Sequence, residues 1–215
     1  MSDKISLYTE ATKLSFENAE QWIKDAKLLI KNSSYGHANA LLRFGCEEIA
    51  KAYVCWLTSE KILPIDNTLV EDVFWNHVVK NEVILGILLM AHWISKNPEW
   101  KEKKYEDFEL SEEQIIEFSK QFEAMVKSTN RMRQKAMYVD VDAETKEITN
   151  PLKMDEKEVN AILEVSKFFS KMMRDLIEET SEEEKEKWRN AFGSLPKEMW
   201  ETGENPIHWF SKKEH

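Results

Sequence analysis

The stretch from about His37 to Lys61, "HANALLRFGCEEIAKAYVCWLTSEK", constrains the fold most, because it is apolar around most of a helical circumference. A helix of this kind must be covered on nearly every side, as at the centre of a helical bundle. The chain holds only five glycines and five prolines in 215 residues, and its charged residues are mostly the helix formers Glu and Lys. We therefore predict an all-α protein, an antiparallel bundle of five to six helices.

Apolar spacing and capping signals predict the other helices. They cover about 5–31, 70–95, 111–137, 155–180 and 181–192, and the second of these could be broken. Their capping signals are Ser111 with Gln114, Asp155 with Glu158, and Ser181. The alternating segment "YVDVDAETKEITNP" favours a short extended hairpin. The bundle is assigned to residues 1–180, and residues 181–215 to a short helix and tail. The aromatic residues of that tail are expected to dock on the bundle rather than on a partner: Trp200, Trp209 and Phe210.

Composition and motifs exclude several function classes. A net charge of −10 argues against broad, nonspecific nucleic-acid binding but leaves room for a small basic site. Cys46 and Cys55 have neither CxxC nor zinc spacing and are interpreted as reduced interior thiols. No signal peptide is recognisable, and the most apolar run, 83–94, is too short to span a bilayer. We expect a cytoplasmic protein that does not contact a membrane. Metal and nucleotide motifs are absent, so no metal and no cofactor are predicted.

Two nearly adjacent arginines are separated by the helical wheel. At about 100° per residue, Arg133 continues the stripe of Phe122, Val126 and Thr129, whereas Arg131 lies on the opposite side. A charge directed at a core must be paired or must line a cleft. Arg133 is therefore either one half of a structural ion pair or part of a functional site.

The central helix offers a partner for this arginine. Glu48 lies about 20° from Leu41 on the wheel, so its carboxylate is the one charged group on an otherwise apolar face. Because that charge also needs a partner, we predict an Arg133–Glu48 pair. Arg43, Glu47 and Lys51 are spaced i, i+4, i+8 and could pair along a solvated or interface-facing strip. Gly45, in the middle of this helix, is predicted to permit a close approach of another helix or of backbone.

The segment "DVFWNHVVK" supplies one further candidate. His77 shares a predicted face with Val70, Val73 and Phe74, and Lys80 lies on the same side. A single histidine on an apolar face is more often a hydrogen-bonded core residue than a catalyst. Both interpretations of His77 stay open at this point.

Three segments together resemble the AbiV-type abortive-infection proteins of the HEPN superfamily. They are "SFENAEQWIKDAKLLIKNSSYGHANALLRFGCEEIAKAYVCW", "FWNHVVKNE" and "RMRQKAMYVD", and the likeness covers roughly residues 15–180. The resemblance implies a helical bundle that is commonly a homodimer, in antiphage or toxin systems. Many relatives are metal-independent RNases whose signature is an arginine followed, four to six positions later, by a histidine.

This sequence differs from the signature of those RNases at one position. Arg133 and Gln134 match the arginine and the polar residue after it, but Tyr138 occupies the position of the histidine. Arginine suits a developing phosphorane charge, whereas tyrosine is a poor base at neutral pH. The candidate catalytic residues are Arg133, Tyr138 and His77, supported by a set of binding residues: Glu47, Glu48, Lys51, Lys80, Gln134 and Asp140.

Three functions remain open from the sequence, of which the third, a toxin–antitoxin component, differs from the first two mainly in genetic context. The first is a phage-defence protein that acts on RNA or translation, as a metal-independent endoribonuclease. The second is a noncatalytic dimeric module that arrests growth by binding a phage or host protein, which the acidic surface and the missing histidine favour.

Overall fold

A computed structural model describes residues 2–63, 68–96, 112–142 and 146–193. Within them lie seven α-helices, α1–α7: Ser2–Lys31, Tyr35–Ser59, Thr68–Trp75, His77–Lys96, Glu112–Met137, Glu156–Glu179 and Glu182–Gly193. Strands β1 (Asp140–Asp142) and β2 (Glu147–Thr149) pair antiparallel and precede a 3₁₀ helix, Pro151–Lys153. The predicted all-α bundle is confirmed, and the hairpin is present. The expected five to six helices become seven because one predicted helical region is divided.

That division occurs at Asn76. Its side-chain Oδ1 accepts a hydrogen bond from the backbone N–H of Val78 at 2.9 Å and so caps the start of α4. His77 therefore begins a new helix rather than continuing α3. Its predicted shared face with Val70 and Val73 is wrong, because those two residues are buried whereas His77 is exposed.

Helix α2 lies at the centre of the bundle, with α1 antiparallel along one side. A Cβ atom on Gly45 would lie 3.2 Å from Ile23 Cγ1 and 3.3 Å from the carbonyl oxygen of Ala19. The predicted close approach at Gly45 is thus confirmed. On another side, α6 runs in the same direction as α2, and Cys46 Sγ lies 3.4 Å from the Ser166 hydroxyl.

Helix α6 begins where the sequence predicts. Asp155 accepts a hydrogen bond from the backbone of Glu158, and the Glu158 side chain accepts one from the backbone of Asp155, which completes a capping box. Residues at helical spacing along α6 are then fully buried in the main core: Val159, Phe169 and Met173. This stripe fixes α6 against α2 and α1.

The short helix α7 packs at the far end of α2. Ser181 caps it through Glu184, as predicted. The rings of Trp188 and Trp56 meet edge to face at 5.6 Å, and Arg189 Nε donates to the carbonyl oxygen of Glu60 at 2.8 Å. The aromatic tail and Ser111 lie outside the described residues. Among the described helices, none has the length and apolar character needed to cross a membrane.

Candidate functional site

Glu47 is the centre of a charge cluster between α2, α4 and α5. Its side chain is 9% exposed, and its Oε1 accepts a hydrogen bond from Arg133 Nε at 2.8 Å. Its other oxygen, Oε2, lies 4.0 Å from Lys80 Nζ. One carboxylate on the central helix therefore contacts a cation on each of two neighbouring helices.

A second arginine lies beside this pair. Arg43 is buried on α2, and its Nε donates to Asn39 Oδ1 at 2.9 Å. Burial lowers the pKa of Arg43, and the nearby charge of Arg133 lowers it further, whereas Glu47 raises it. Asn39 in turn donates to the sulfur of Met154, so the residue that follows the 3₁₀ helix holds the side chain that orients Arg43.

Lys51 and Glu48 complete the cluster as an ion pair within α2. Lys80 lies close enough for the charges of both residues to act on its ammonium group. Burial lowers the pKa of Lys80, Glu47 raises it, and the charge of Lys51 lowers it. The cluster holds four cations and two carboxylates, a net charge of +2 in a chain whose net charge is −10.

Two predictions about pairing in this cluster are wrong. Arg133 pairs with Glu47 rather than Glu48, which is bound by Lys51. Of the two alternatives for the Arg43, Glu47 and Lys51 strip, the solvated one is wrong, because Arg43 and Glu47 are buried. These two residues bind Asn39 and Arg133 rather than each other. The wheel gives directions within one helix, but it does not say which neighbouring helix lies in each direction.

The separation of the two arginines is confirmed. Phe122 is buried on α5 and Arg133 is partly buried on the same stripe, whereas Arg131 is exposed. Within the described part of the chain, the guanidinium of Arg133 makes its hydrogen bond through Nε alone. Its two terminal nitrogens therefore remain for an acceptor from outside, and the side chain is 16% exposed.

Asparagines join the elements of this site, and the sequence interpretation missed them. Asn81 Nδ2 donates to Asn130 Oδ1 at 3.0 Å, linking α4 to α5 beside Lys80 and Arg133. Asn130 precedes Arg133 by three positions, and Asn39 precedes Arg43 by four. That helical spacing of an amide before an arginine is the signal that could have found them.

The other predicted residues lie around this cluster rather than within it. His77 precedes Lys80 by three positions on α4, so it lies one helical turn away on the solvent side. Gln134 is exposed, and Tyr138 follows the end of α5 with 58% of its surface exposed. Asp140 begins β1 and pairs in register with Thr149.

This arrangement can bind an anion. Arginine presents two parallel N–H groups to phosphate oxygens, and a partly desolvated cluster strengthens such contacts. Lys80 and Lys51 add positive charge on the same side of α2. The described residues contain no group of three or more histidine, cysteine, aspartate or glutamate side chains arranged to hold a metal.

Comparison with known families identifies the chain. The model of the AbiV family of HEPN proteins matches residues 7–171, which is well over half of the sequence. The chain belongs to the AbiV family. Membership assigns it to abortive infection, a form of phage defence. No curated protein and no solved structure matches the sequence. All residues of the charge cluster lie inside the matched region.

Proposed function

We propose that this AbiV-family protein acts on RNA in phage defence and that Arg133 binds the phosphate that is attacked. One observation carries the proposal: Glu47 holds the guanidinium through Nε, so the two terminal nitrogens are oriented and available. A guanidinium fixed in this way is preorganised for a developing phosphorane charge. Its net-positive surroundings in an acidic protein restrict nucleic-acid binding to a small area.

The chemistry would be a transesterification without metal. The ribose 2′-oxygen forms a bond to phosphorus, the bond from phosphorus to the 5′-oxygen breaks, and a 2′,3′-cyclic phosphate and a 5′-hydroxyl result. One group must accept the 2′-hydroxyl proton, and another must give a proton to the leaving oxygen. His77 is the candidate base, since it lies one turn from Lys80. Tyr138 is the candidate hydrogen-bond donor.

The test uses purified protein with total RNA or tRNA in the presence of EDTA, with and without extract from infected cells. Wild type should release products with cyclic phosphate and 5′-hydroxyl ends, and Arg133→Ala should not. Arg131→Ala is the matched control, because it removes an exposed arginine two positions away on the same helix. Equal cleavage by the Arg133→Ala variant, or none by wild type under either condition, would refute the RNase proposal.

The second candidate is a noncatalytic binding module, and a specific observation favours it. Among the described residues, no histidine forms a hydrogen bond with Arg133, and His77 is exposed at a helix start. In that case the protein arrests growth by binding a phage or host protein. Capture of the same partner from infected cells by wild type and Arg133→Ala, without RNA cleavage by either, would support this alternative.

We also propose that the protein forms a homodimer through its hairpin. Val141 and Ile148 lie directly opposite each other, and Val139 lies on the same face two residues earlier. All three are exposed, as are Tyr138 and Leu152 nearby. An exposed apolar hairpin face beside the arginine stripe of α5 is suited to an isologous contact with a second copy. Such a contact would bring the two copies of Arg133 towards one shared surface.

A further inference from the structure

A second basic area lies between α1 and α6, outside the charge cluster. It is a groove of about 210 Å³ lined by eight side chains: Glu20, Ile23, Lys24, Lys27, Lys167, Ser170, Lys171 and Arg174. Five of the eight are cations. Ile23 is almost fully buried and forms the apolar side of the groove, and the Ser170 hydroxyl donates a hydrogen bond to Glu20 Oε1 at 3.1 Å.

The cations on the two sides of the groove differ in their pairing. On α6, Lys167 pairs with Glu164 at 2.6 Å, Lys171 pairs with Asp175 at 2.5 Å, and Arg174 pairs with Glu20. Within the described chain, the two lysines that α1 contributes, Lys24 and Lys27, have no ion pair. The groove with its paired carboxylates carries a net charge of +2.

This groove lies on the opposite side of α2 from Glu47. Gly45 faces α1, Cys46 faces α6, and Glu47 faces α4 and α5. At about 100° per residue, Glu47 points about 150° away from the direction midway between Gly45 and Cys46. One protomer therefore cannot use both areas as a single continuous site.

We propose that the α1–α6 groove is a second phosphate-binding site, which takes the phosphate groups of a free nucleotide or of an RNA strand. Lys24 and Lys27 lie one helical turn apart and would contact the phosphate, with Lys167 and Lys171 across the groove. Arg174 and Ser170 are held by the Glu20 carboxylate and add no direct contact. The groove of about 210 Å³ has room for phosphate groups, and the ammonium groups of two lysines without ion pairs in the described chain match their charge. We therefore propose phosphate as the ligand rather than an acidic protein segment.

The test is binding by the full chain carrying Arg133→Ala, which separates this site from the proposed catalytic one. The probes are ATP and a short single-stranded RNA at low salt, followed by calorimetry and fluorescence anisotropy. The double variant Lys24→Gln with Lys27→Gln should weaken binding about tenfold. For the RNA, the slope of log affinity against log salt concentration should become shallower by about 1.4, because each of the two phosphate contacts contributes about 0.7. Lys13→Gln is the matched control, since Lys13 is an exposed lysine of α1 outside the groove.

Each result has a defined meaning. Weakened binding of both probes supports a site for phosphate in general, and weakened binding of RNA alone assigns the groove to an RNA strand. Unchanged binding in the double variant, equal weakening by Lys13→Gln, or binding of neither probe overturns the proposal. Circular dichroism must show the same melting temperature for all variants, because exposed substitutions change stability by only about 0.5 kcal/mol.

Discussion

Arg133 Nε donates a hydrogen bond to Glu47 Oε1 at 2.8 Å, linking two helices across 86 positions of the chain. The next residue, Glu48, instead pairs with Lys51 on its own helix. Two adjacent glutamates therefore have different roles: one joins α2 to α4 and α5, and the other neutralises a neighbouring lysine. This difference can be measured.

Glu47→Ala should destabilise the protein more than Glu48→Ala. Removing Glu47 leaves Arg133 and Lys80 partly buried without their carboxylate, which we expect to lower the free energy of unfolding by about 3 kcal/mol. Removing Glu48 breaks one pair within a helix, with an expected loss of about 1 kcal/mol or less. Urea denaturation followed by far-UV circular dichroism measures both. Equal losses would show that the link between helices contributes nothing extra.

Tyr138→His should increase RNA cleavage. The position is exposed, so the folded protein tolerates the change, with an expected effect on stability within about 0.5 kcal/mol. An imidazole near neutral pKa is a better base or acid than a phenol at pH 7. The rate of RNA cleavage in EDTA measures the gain, and Tyr138→Phe serves as the control. A rate that stays unchanged for the histidine variant would mean that residue 138 takes no part in proton transfer.

Gly36→Ala should be far more harmful than Gly45→Ala, although both glycines lie in α2. A Cβ at Gly36 would lie 2.0 Å from the carbonyl oxygen of Pro151, so the backbone of the 3₁₀ helix would have to move. At Gly45 the nearest atoms lie at 3.2 and 3.3 Å, and the gain of about 1 kcal/mol in helix propensity offsets part of that strain. Thermal unfolding measures the stability of the two variants. A smaller loss of stability for Gly36→Ala than for Gly45→Ala would contradict the close contact between Gly36 and Pro151.

Cys55 should make the protein less stable at alkaline pH. Burial raises the pKa of its thiol from 9.0 to about 12. The pKa of the thiol is therefore higher in the folded protein than in the unfolded chain. Its contribution to the free energy of unfolding is complete below pH 9 and is lost as the pH rises towards 12. The free energy of unfolding, measured with urea from pH 8 to 11, should fall less steeply with pH for Cys55→Ala than for wild type. The slopes are compared, since the substitution also removes packing at every pH.

The double variant Val141→Lys with Ile148→Lys should be monomeric if the hairpin carries the dimer. Two facing lysines would place like charges on the proposed contact. Leu28→Lys is the control, because Leu28 is an exposed apolar residue of α1 outside the hairpin. Sedimentation velocity gives the oligomeric state. A wild-type monomer, or a double variant that still dimerises, would exclude this interface.

Several local features followed from the sequence because each depends on residues close together along the chain. The capping box of Asp155 and Glu158, the cap at Ser181, the hairpin and the stripe that ends in Arg133 are of this kind. The end of α1 near Lys31 was predicted, and the left-handed residue that follows it is Ser33, with φ 56°. Several short polar residues can satisfy such a turn, so the sequence left that choice open.

Periodicity alone determined that α2 is central, that α5 turns Arg133 inward and that Arg131 points to solvent, since side-chain direction within a helix repeats with fixed geometry. Which glutamate receives Arg133 was decided only by the tertiary structure. That choice depends on where α4 and α5 pack around α2, and packing is set by the fit of many distant side chains. The same packing placed the lysines of α1 beside those of α6, a relationship that no spacing along one helix contains.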